Sequence, residues 1–223
     1  MGDIHVDVVR VFADEHGDHG NPLGLIDGAL VAAEHRQAVA KELGFSETVF
    51  IDDPATGRIR IFTPASELPF AGHPTIGTAW WLRHQGYDVS SLNPPAGEVN
   101  VTYNGDITRI RGHHDWVSPF VWHHLADAAA VEALDPATFT DVHHYAWAWI
   151  DEPAGRVRSR MFAPDLGIAE DEATGMAAVA LTARLERDLD ITQGRGSRLS
   201  TAYEGDGWAA VGGRVVIDSR RTV

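Results

Sequence analysis

Two stretches of the chain share one pattern, and together they decide the fold. The first is RIRIFTPASELPFAGHPTIGTA at residues 58–79, and the second is RSRMFAPDLGIAEDEATG at residues 158–175. Both begin with Arg-x-Arg-x-Phe-x-Pro, at residues 58–64 and 158–164, pass through an acidic loop and enter a segment rich in glycine, alanine and threonine. This repeated order of strand, loop and helix start predicts a chain built from two related halves.

Each half is expected to wrap its strands around one buried helix. Residues 74–82 (PTIGTAWWL) are apolar on most sides, which is typical of a helix that is buried all round. Residues 174–185 predict a second helix made of small residues. Because many short strands surround these two helices, the predicted fold class is α+β, with two similar α/β halves. We assign residues 1–111 to the N-terminal half and residues 112–223 to the C-terminal half. The last strands of the chain can also pair with strands of the N-terminal half.

The other segments predict mainly strands. Asn104-Gly105 is a strong hairpin signal, and Pro153-Ala154-Gly155 is a second turn between paired strands. The predicted strands are residues 98–103 and 107–111, 142–150 and 156–162, and separate short strands at 208–211 and 215–217. Residues 30–43 predict a helix that ends at Gly44, whereas residues 120–134 are ambiguous.

The charge of the chain limits its partners. Eighteen basic residues against thirty-two acidic residues give a formal net charge of −14. A surface this acidic repels phosphate backbones and anionic lipid heads, so we expect neither nucleic acid nor a membrane as a partner. No apolar run approaches the roughly 18 residues of a transmembrane helix, and the first residues lack the pattern of a signal peptide. A cytoplasmic protein is therefore the expectation.

Residue types also limit the chemistry. The chain has no cysteine, which excludes disulfides, thiolate metal sites and thiol-based mechanisms. Its twelve histidines include adjacent pairs at 113–114, 123–124 and 143–144, but neighbours on a strand point to opposite faces and rarely share one ion. No His-x-x-x-His pattern lies on a clear helix, and no glycine-rich nucleotide-binding string follows a strand. We therefore expect no metal and no cofactor.

Five segments carry a resemblance to a known family. They are GNPL at residues 20–23, LGFSETVF at 43–50, the two stretches quoted above, and ITQG at 191–194. These segments resemble the PhzF-like isomerases of phenazine biosynthesis, which share the diaminopimelate-epimerase fold of two similar α/β halves. The likeness covers nearly the whole chain outside about residues 112–150, and FTPxxELPFAGHPTIGTA is its most specific part.

The resemblance implies catalytic roles for three residues. The catalytic glutamate of the family lies in Ser-Glu-Thr, which is Glu47 here, and its histidine follows glycine in Phe-Ala-Gly-His-Pro, which is His73. Its active-site aspartate corresponds to Asp171, and an acid at a helix start can both cap the helix and bond His73. In the family, the glutamate withdraws a proton from carbon and returns it elsewhere on the substrate, without metal or cofactor. To act near neutral pH, Glu47 needs a raised pKa, which burial supplies by desolvation.

The predicted substrate site surrounds these three residues. It comprises Ser46, Gly72, Thr174, Gly175 and Met176. Small residues at a helix start let a ligand approach free main-chain N–H groups, and the helix dipole there favours an anion. Two facing helix starts would hold a carboxylate or a developing enolate, so a small carboxylate-bearing molecule is the expected ligand.

Two features depart from the family pattern and leave a second function open. The family usually has a serine where Met176 stands, and the chain is shorter than typical members within residues 112–150. A non-catalytic small-molecule-binding protein of the same fold is therefore the alternative to an isomerase. Amino-acid epimerases of this fold resemble one another in using two cysteines, a mechanism that a chain without cysteine cannot use. Family members are often homodimers, and the resemblance extends that expectation to this chain.

Overall fold

The computed structural model describes residues 4–117 and 119–223. These residues form strands and helices in the following order: β1 His5–Ala13, β2 Asn21–Asp27, α1 Arg36–Leu43, β3 Glu47–Asp53, β4 Arg58–Phe62, β5 Glu67–Leu68, α2 Gly72–His84, β6 Ser91–Leu92, β7 Val99–Asn104, β8 Ile107–His113, β9 Phe120–His124, α3 Ala128–Glu132, β10 His143–Asp151, β11 Arg156–Ala163, β12 Ile168–Asp171, α4 Gly175–Leu185, β13 Leu189–Gln193, β14 Ser197–Gly205 and β15 Trp208–Thr222. The predicted α+β class is therefore confirmed.

The long last strand joins the two parts of the sheet. The sheet runs in the order β5-β4-β3-β2-β1-β15-β14-β13-β11-β10-β9, and β8 also pairs with β15. The first part of β15 pairs with β14 and β8, with Val211 opposite both Thr201 and Ile110. Its later part pairs antiparallel with β1, with Ile217 opposite Val9. One continuous strand thus connects the first segments of the chain with its last ones.

The two Arg-x-Arg repeats form matching local structures. In each copy the repeat strand pairs antiparallel with the short strand that follows it, β4 with β5 and β11 with β12. The second arginine of each repeat then pairs with a glutamate of that short strand. Arg60 Nη2 lies 2.8 Å from Glu67 Oε2, and Arg160 Nη2 lies 2.7 Å from Glu170 Oε2. The repeat in the sequence is therefore also a repeat in the structure.

Helix α2 is buried on nearly all sides, as its apolar sequence predicts. Its buried residues are Gly72, His73, Pro74, Thr75, Ile76, Gly77, Thr78, Ala79 and Leu82. Small residues let strands approach the helix closely. A Cβ atom added to Gly77 would lie 2.6 Å from side-chain atoms of both Leu23 and Val11. Burial of each large side chain, such as Ile76 or Leu82, contributes roughly 1.5–3 kcal/mol to folding.

Helix α4 repeats this arrangement in the second part of the chain. Its buried residues are Gly175, Ala177, Ala178, Val179, Leu181 and Thr182. The helix ends where Glu186 adopts a left-handed conformation with φ of 51°. Both predicted central helices are therefore present, and their first residues lie near each other at the predicted functional site.

Other predicted elements differ in their bounds. The hairpins β7–β8 and β10–β11 form at the predicted turns. The helix predicted over residues 30–43 is confined to α1, and single 3₁₀ turns precede it. The ambiguous segment divides into β9 and α3. None of the helices in the described parts of the chain is long and apolar enough to cross a membrane.

The prediction of two separate strands at residues 208–211 and 215–217 is wrong, since β15 is continuous through Gly212 and Gly213. These glycines do not break the strand because they pair with its neighbours: Gly212 lies opposite Ser200 of β14 and Arg109 of β8, and Gly213 lies opposite Thr108 of β8. A Cβ atom at Gly212 would lie 2.2 Å from Cγ of Arg109, and one at Gly213 would lie 2.5 Å from Cδ1 of Phe12. The glycines therefore permit close packing within a strand.

Candidate active site

The starts of α2 and α4 lie against each other, and a cavity opens beside them. A Cβ atom added to Gly175 would lie 3.6 Å from the main-chain nitrogen of His73, and one added to Gly72 would lie 3.4 Å from that of Met176. Neither helix start has a side-chain cap. The first-turn N–H groups of both helices, with the positive ends of both helix dipoles, therefore converge on one place.

This cavity of about 190 Å³ brings together seven of the eight predicted site residues, namely Glu47, Gly72, His73, Asp171, Thr174, Gly175 and Met176. Ser46 instead lines a neighbouring cleft of about 360 Å³, together with Asn21 and Asp171. A larger cleft of about 550 Å³ lies beside α4 and contains none of the predicted residues. Because the largest pKa changes among carboxyl and imidazole groups occur at the small cavity, we place the candidate site there.

Glu47 is the first residue of β3 and is held close to His73. Helix α1 ends at Gly44, which has a left-handed φ of 68° and turns the chain into β3. Glu47 Oε2 lies 3.2 Å from His73 Nδ1, although the oxygen has no hydrogen-bond partner of suitable geometry. Burial raises the pKa of Glu47 to about 7, against the opposing effect of the Ser46 hydroxyl. Near neutral pH this carboxyl group can therefore both accept and donate a proton.

His73 is buried near the start of α2 and is neutral at pH 7. Burial lowers its pKa to about 4, while the Asp171 carboxylate and the main chain of Pro22 act in the opposite direction. Its Nε2 atom is buried without a hydrogen-bond partner in the described structure. A neutral imidazole can donate one hydrogen bond and accept another, so the free nitrogen is available to a ligand in the cavity.

Asp171, the last residue of β12, is fixed by hydrogen bonds to both carboxyl oxygens. Asn21 Nδ2 donates to Oδ1 over 2.7 Å, and Thr174 Oγ1 donates to Oδ2 over 2.5 Å. Burial and then the Glu47 charge raise the pKa of Asp171 to about 6, while His73, Thr174 and Asn21 oppose that rise. Two buried carboxyl groups from separate elements thus have pKa values close to neutrality.

Asp171 neither caps a helix with its side chain nor makes a hydrogen bond to His73 in the structure. Thr174 is the N-cap residue of α4 and makes no side-chain cap bond. Both oxygens of Asp171 face Asn21 and Thr174, so its influence on His73 is electrostatic. The short β12 strand positions the carboxylate beside the start of the helix instead of on its free N–H groups.

Two site residues were not predicted as functional, although both lie in segments that carry the family resemblance. Asn21 joins Ser46 to Asp171 through its side-chain amide. Gln193 Nε2 donates to the main-chain oxygen of Asp171 and to Thr174 Oγ1, while its Oε1 accepts from Thr174 N. Buried amides with several partners fix the orientation of the groups that they bond.

Apolar side chains form one wall of the cavity. Phe70, Trp116 and Phe120 contribute to it, and His143 lies next to Phe120 with ring centroids 5.7 Å apart. Met176 extends from α4 across the space beside two glycines. A Cβ atom at Gly72 would lie 3.3 Å from its Cγ, and one at Gly112 would lie 3.1 Å from its Cε. Because these wall residues come from separate strands, turns and a helix that are distant in sequence, no local pattern identifies them.

We expect adjacent histidines to point to opposite faces of a strand, but His113 and His114 do not. His114 begins a 3₁₀ turn directly after β8, so the two rings lie side by side with centroids 4.7 Å apart. With Asp115 they form a group whose potential ligand atoms lie within 4.8 Å of one another. His113 already bonds Asp206 O and accepts from Asp115 N. None of these residues is among those predicted for the site, and the absence of a catalytic metal stays a prediction.

Comparisons with known proteins place this arrangement in a family. The model of the family described as "Phenazine biosynthesis-like protein" (PhzC-PhzF) matches residues 9–146 and 118–204. The chain belongs to the phenazine biosynthesis-like family. A relative is the trans-2,3-dihydro-3-hydroxyanthranilate isomerase of Pseudomonas chlororaphis, which is 31% identical over 232 aligned positions, covering 86% of this chain and 83% of the relative. The predicted family, one of isomerases, is therefore confirmed.

Solved structures confirm the diaminopimelate-epimerase-like fold. A PhzF-family phenazine biosynthesis protein of Bacillus anthracis matches with a TM-score of 0.83 and 19% identity, covering 100% of this chain and 99% of that one. A hydroxyproline epimerase of Agrobacterium vitis matches with a TM-score of 0.66 and 12% identity, covering 99% and 92% of the two chains. At these low sequence identities the structural matches establish the fold but do not identify the substrate.

Proposed function

We propose that this PhzF-like chain is a cofactor-independent isomerase that moves a proton on a small carboxylate-bearing molecule. The observation that carries the proposal is Glu47, a buried carboxyl group with a pKa of about 7 in a cavity where two uncapped helix starts meet. A group that titrates near neutrality can take up a proton in one step and release it in the next. No other reactant is needed for such a transfer.

The proposed reaction begins with ionised Glu47 as the base. Its carboxylate takes a proton from a substrate carbon, and the electron pair of the broken C–H bond spreads into an adjacent unsaturated system. The protonated Glu47 then returns the proton to a different carbon, and the double bond shifts accordingly. The substrate and product are isomers, so the reaction needs neither an oxidant nor a reductant.

The two helix starts are the proposed site for negative charge. Main-chain N–H groups that already point to one place stabilise a carboxylate and the charge that develops during proton removal. Gly72 and Gly175 add no side chain of their own at these helix starts, and the Met176 side chain packs beside Gly72. Neutral His73 presents its unpartnered Nε2 at the cavity without adding a fixed positive charge.

The name of the Pseudomonas chlororaphis relative supplies the first substrate to test. Trans-2,3-dihydro-3-hydroxyanthranilate carries a carboxylate on an unsaturated six-membered ring, so it matches both an anion site and a path for the displaced electron pair. The cavity of about 190 Å³ is small, and its Phe70, Trp116 and Phe120 wall suits a flat unsaturated molecule. We propose this compound and smaller unsaturated carboxylic acids as the substrate class.

A deuterium-exchange screen tests the proposal. The protein is incubated in heavy water with each carboxylic acid, and NMR follows the incorporation of deuterium at carbon. We expect incorporation with at least one unsaturated carboxylate. Tight binding of these compounds without any exchange would contradict the isomerase and support the non-catalytic alternative, which Met176 motivates because its thioether occupies space at the helix starts.

A further inference from the structure

Asn21 stands between the two titrating carboxyl groups of the site. It is the first residue of β2, and only 3% of its surface is exposed. Its Nδ2 atom donates to Asp171 Oδ1 over 2.7 Å and to Ala173 O over 2.9 Å, while its Oδ1 accepts from Ser46 Oγ over 3.2 Å. The Asn21 side chain therefore connects the segment before β3 with the segment that leads from β12 into α4.

The direction of these hydrogen bonds follows from the partners. The main-chain oxygen of Ala173 can only accept, so the NH₂ group of Asn21 must face it and Asp171. The carbonyl oxygen of the amide then points to Ser46, and the serine hydroxyl must donate to it. Flipping the amide would place two acceptors together at Ala173 and leave the NH₂ group against a hydroxyl.

Ser46 directly precedes Glu47 in the chain. Its hydroxyl donates to Asn21 Oδ1, and Glu47 is the first residue of β3, which pairs with β2 beyond Asn21. By holding the Ser46 side chain, Asn21 fixes the segment from which the Glu47 side chain extends.

We propose that Asn21 is a positioning residue that holds both the Asp171 carboxylate and the Ser46–Glu47 segment in place. The role rests on the proposed isomerase function, in which Glu47 carries the transferred proton. Asn21 does not line the cavity that contains Glu47 but the neighbouring cleft, so it acts on the site through Ser46 and Asp171. It holds one oxygen of Asp171 in place and stabilises the ionised form of that carboxylate.

Several groups around Asp171 affect its pKa, and Asn21 is one of them. Glu47 from β3, His73 from α2 and Tyr145 from β10 interact with the Asp171 charge. Burial and Glu47 both raise the pKa of Asp171, while His73, Thr174 and Asn21 lower it. Removing the amide donors of Asn21 therefore favours the protonated carboxyl group.

The test compares Asn21→Leu, which keeps a similar volume without hydrogen bonds, with the exposed control Asn100→Leu on β7. NMR titration of ¹³C-labelled aspartate and glutamate carboxyl groups needs no substrate. We expect the titration of Asp171 to move to higher pH in Asn21→Leu and to stay unchanged in Asn100→Leu. In deuterium exchange, we expect kcat to fall about 10- to 100-fold with little change in KM, because a small misplacement of catalytic groups has effects of this size.

A double-mutant cycle keeps the test decisive if Asn21→Leu folds poorly. Asn21→Ala, Asp171→Asn and their combination are compared by kcat. If Asn21 acts through Asp171, the double variant is no slower than Asp171→Asn alone, whereas independent effects multiply. An unchanged titration of Asp171 in folded Asn21→Leu, or multiplying losses in the cycle, would overturn the positioning role. Absence of turnover in the wild type would contradict the proposed function and leave the titration as the test of Asn21.

Discussion

Glu47 Oε2 lies 3.2 Å from His73 Nδ1, a separation short enough for an ion pair, yet the two groups do not form one at neutral pH. The pKa of His73 is about 4, so the ring is neutral, while the pKa of Glu47 is about 7. Burial causes both changes because it disfavours the charged form of each group. As a result, His73 does not take the proton from Glu47, and that proton remains available to a ligand.

Because the pKa of Glu47 is raised, we predict that its carboxyl group lowers the free energy of unfolding at high pH. Unfolded glutamate ionises near pH 4.5, whereas the folded group ionises only near pH 7, so the unfolded state gains from ionisation first as the pH rises. Glu47→Gln should therefore be more stable than the wild type at pH 8, by at most about 3 kcal/mol, and equally stable at pH 4. Urea unfolding at both pH values measures this difference. A Glu47→Gln variant less stable at pH 8 would contradict the raised pKa.

His73 is predicted to orient the substrate without carrying the proton. His73→Asn keeps a hydrogen-bonding side chain of smaller size at the start of α2, and we expect it to reduce kcat less than Glu47→Gln does. Because the pKa of His73 is about 4, its protonation should not shape the pH–rate profile between pH 5 and 9. Profiles of kcat/KM for the wild type and His73→Asn check this, and a lost inflection in the variant would assign the titration to His73.

Met176 is predicted to limit the space at the helix starts. Its side chain packs beside Gly72 and Gly112, so Met176→Ala should enlarge the cavity and destabilise the protein by about 2 kcal/mol. Met176→Leu, which conserves volume, should cost less than about 1.5 kcal/mol. Denaturant unfolding compares the stabilities, and a ligand series of increasing ring size compares the cavities. Equal ligand preference in all three proteins would show that Met176 does not limit the site.

Activity is predicted to survive exhaustive chelation. The cavity is lined by the imidazoles of His73 and His143 and by two carboxyl groups, and the proposed proton transfer uses no Lewis acid. The group formed by His113, His114 and Asp115 comprises none of the proposed catalytic residues. Deuterium exchange before and after EDTA treatment and gel filtration is the measurement. Loss of turnover that one specific divalent ion restores would contradict this prediction.

Much of the architecture could be predicted because local patterns and tertiary burial agree. Residues 74–82 are apolar on most sides, which predicts a buried helix, and α2 is buried except at Trp80, Trp81 and its last two residues. The repeated Arg-x-Arg pattern likewise has a tertiary counterpart, since Arg60 and Arg160 each pair with a glutamate of the following strand. Motif resemblance also identified residues that the fold brings to one cavity, including Glu47 and Asp171.

The remaining features depend on contacts that no local pattern contains. The partners of Asn21 lie 25 and 150 residues away along the chain, so its hydrogen bonds could not be predicted from its neighbours. β15 is continuous through Gly212 and Gly213 because they pair with β8, which lies far earlier in the chain. Trp116 reaches the cavity from a short turn after β8, and its position depends on how that strand pairs with β15.

The proposed proton transfer depends on Glu47, so replacing this residue is the most direct test of the proposed function. The measurement is the rate at which deuterium from heavy water enters the substrate carbon with the wild type, Glu47→Gln and the exposed control Glu98→Gln. A positioned acid–base group contributes typically about 10²–10⁴-fold, so we expect Glu47→Gln to lose at least that factor in kcat with little change in KM. Glu98→Gln should match the wild type. Exchange by Glu47→Gln at near wild-type rate would contradict the assignment of Glu47 as the proton carrier.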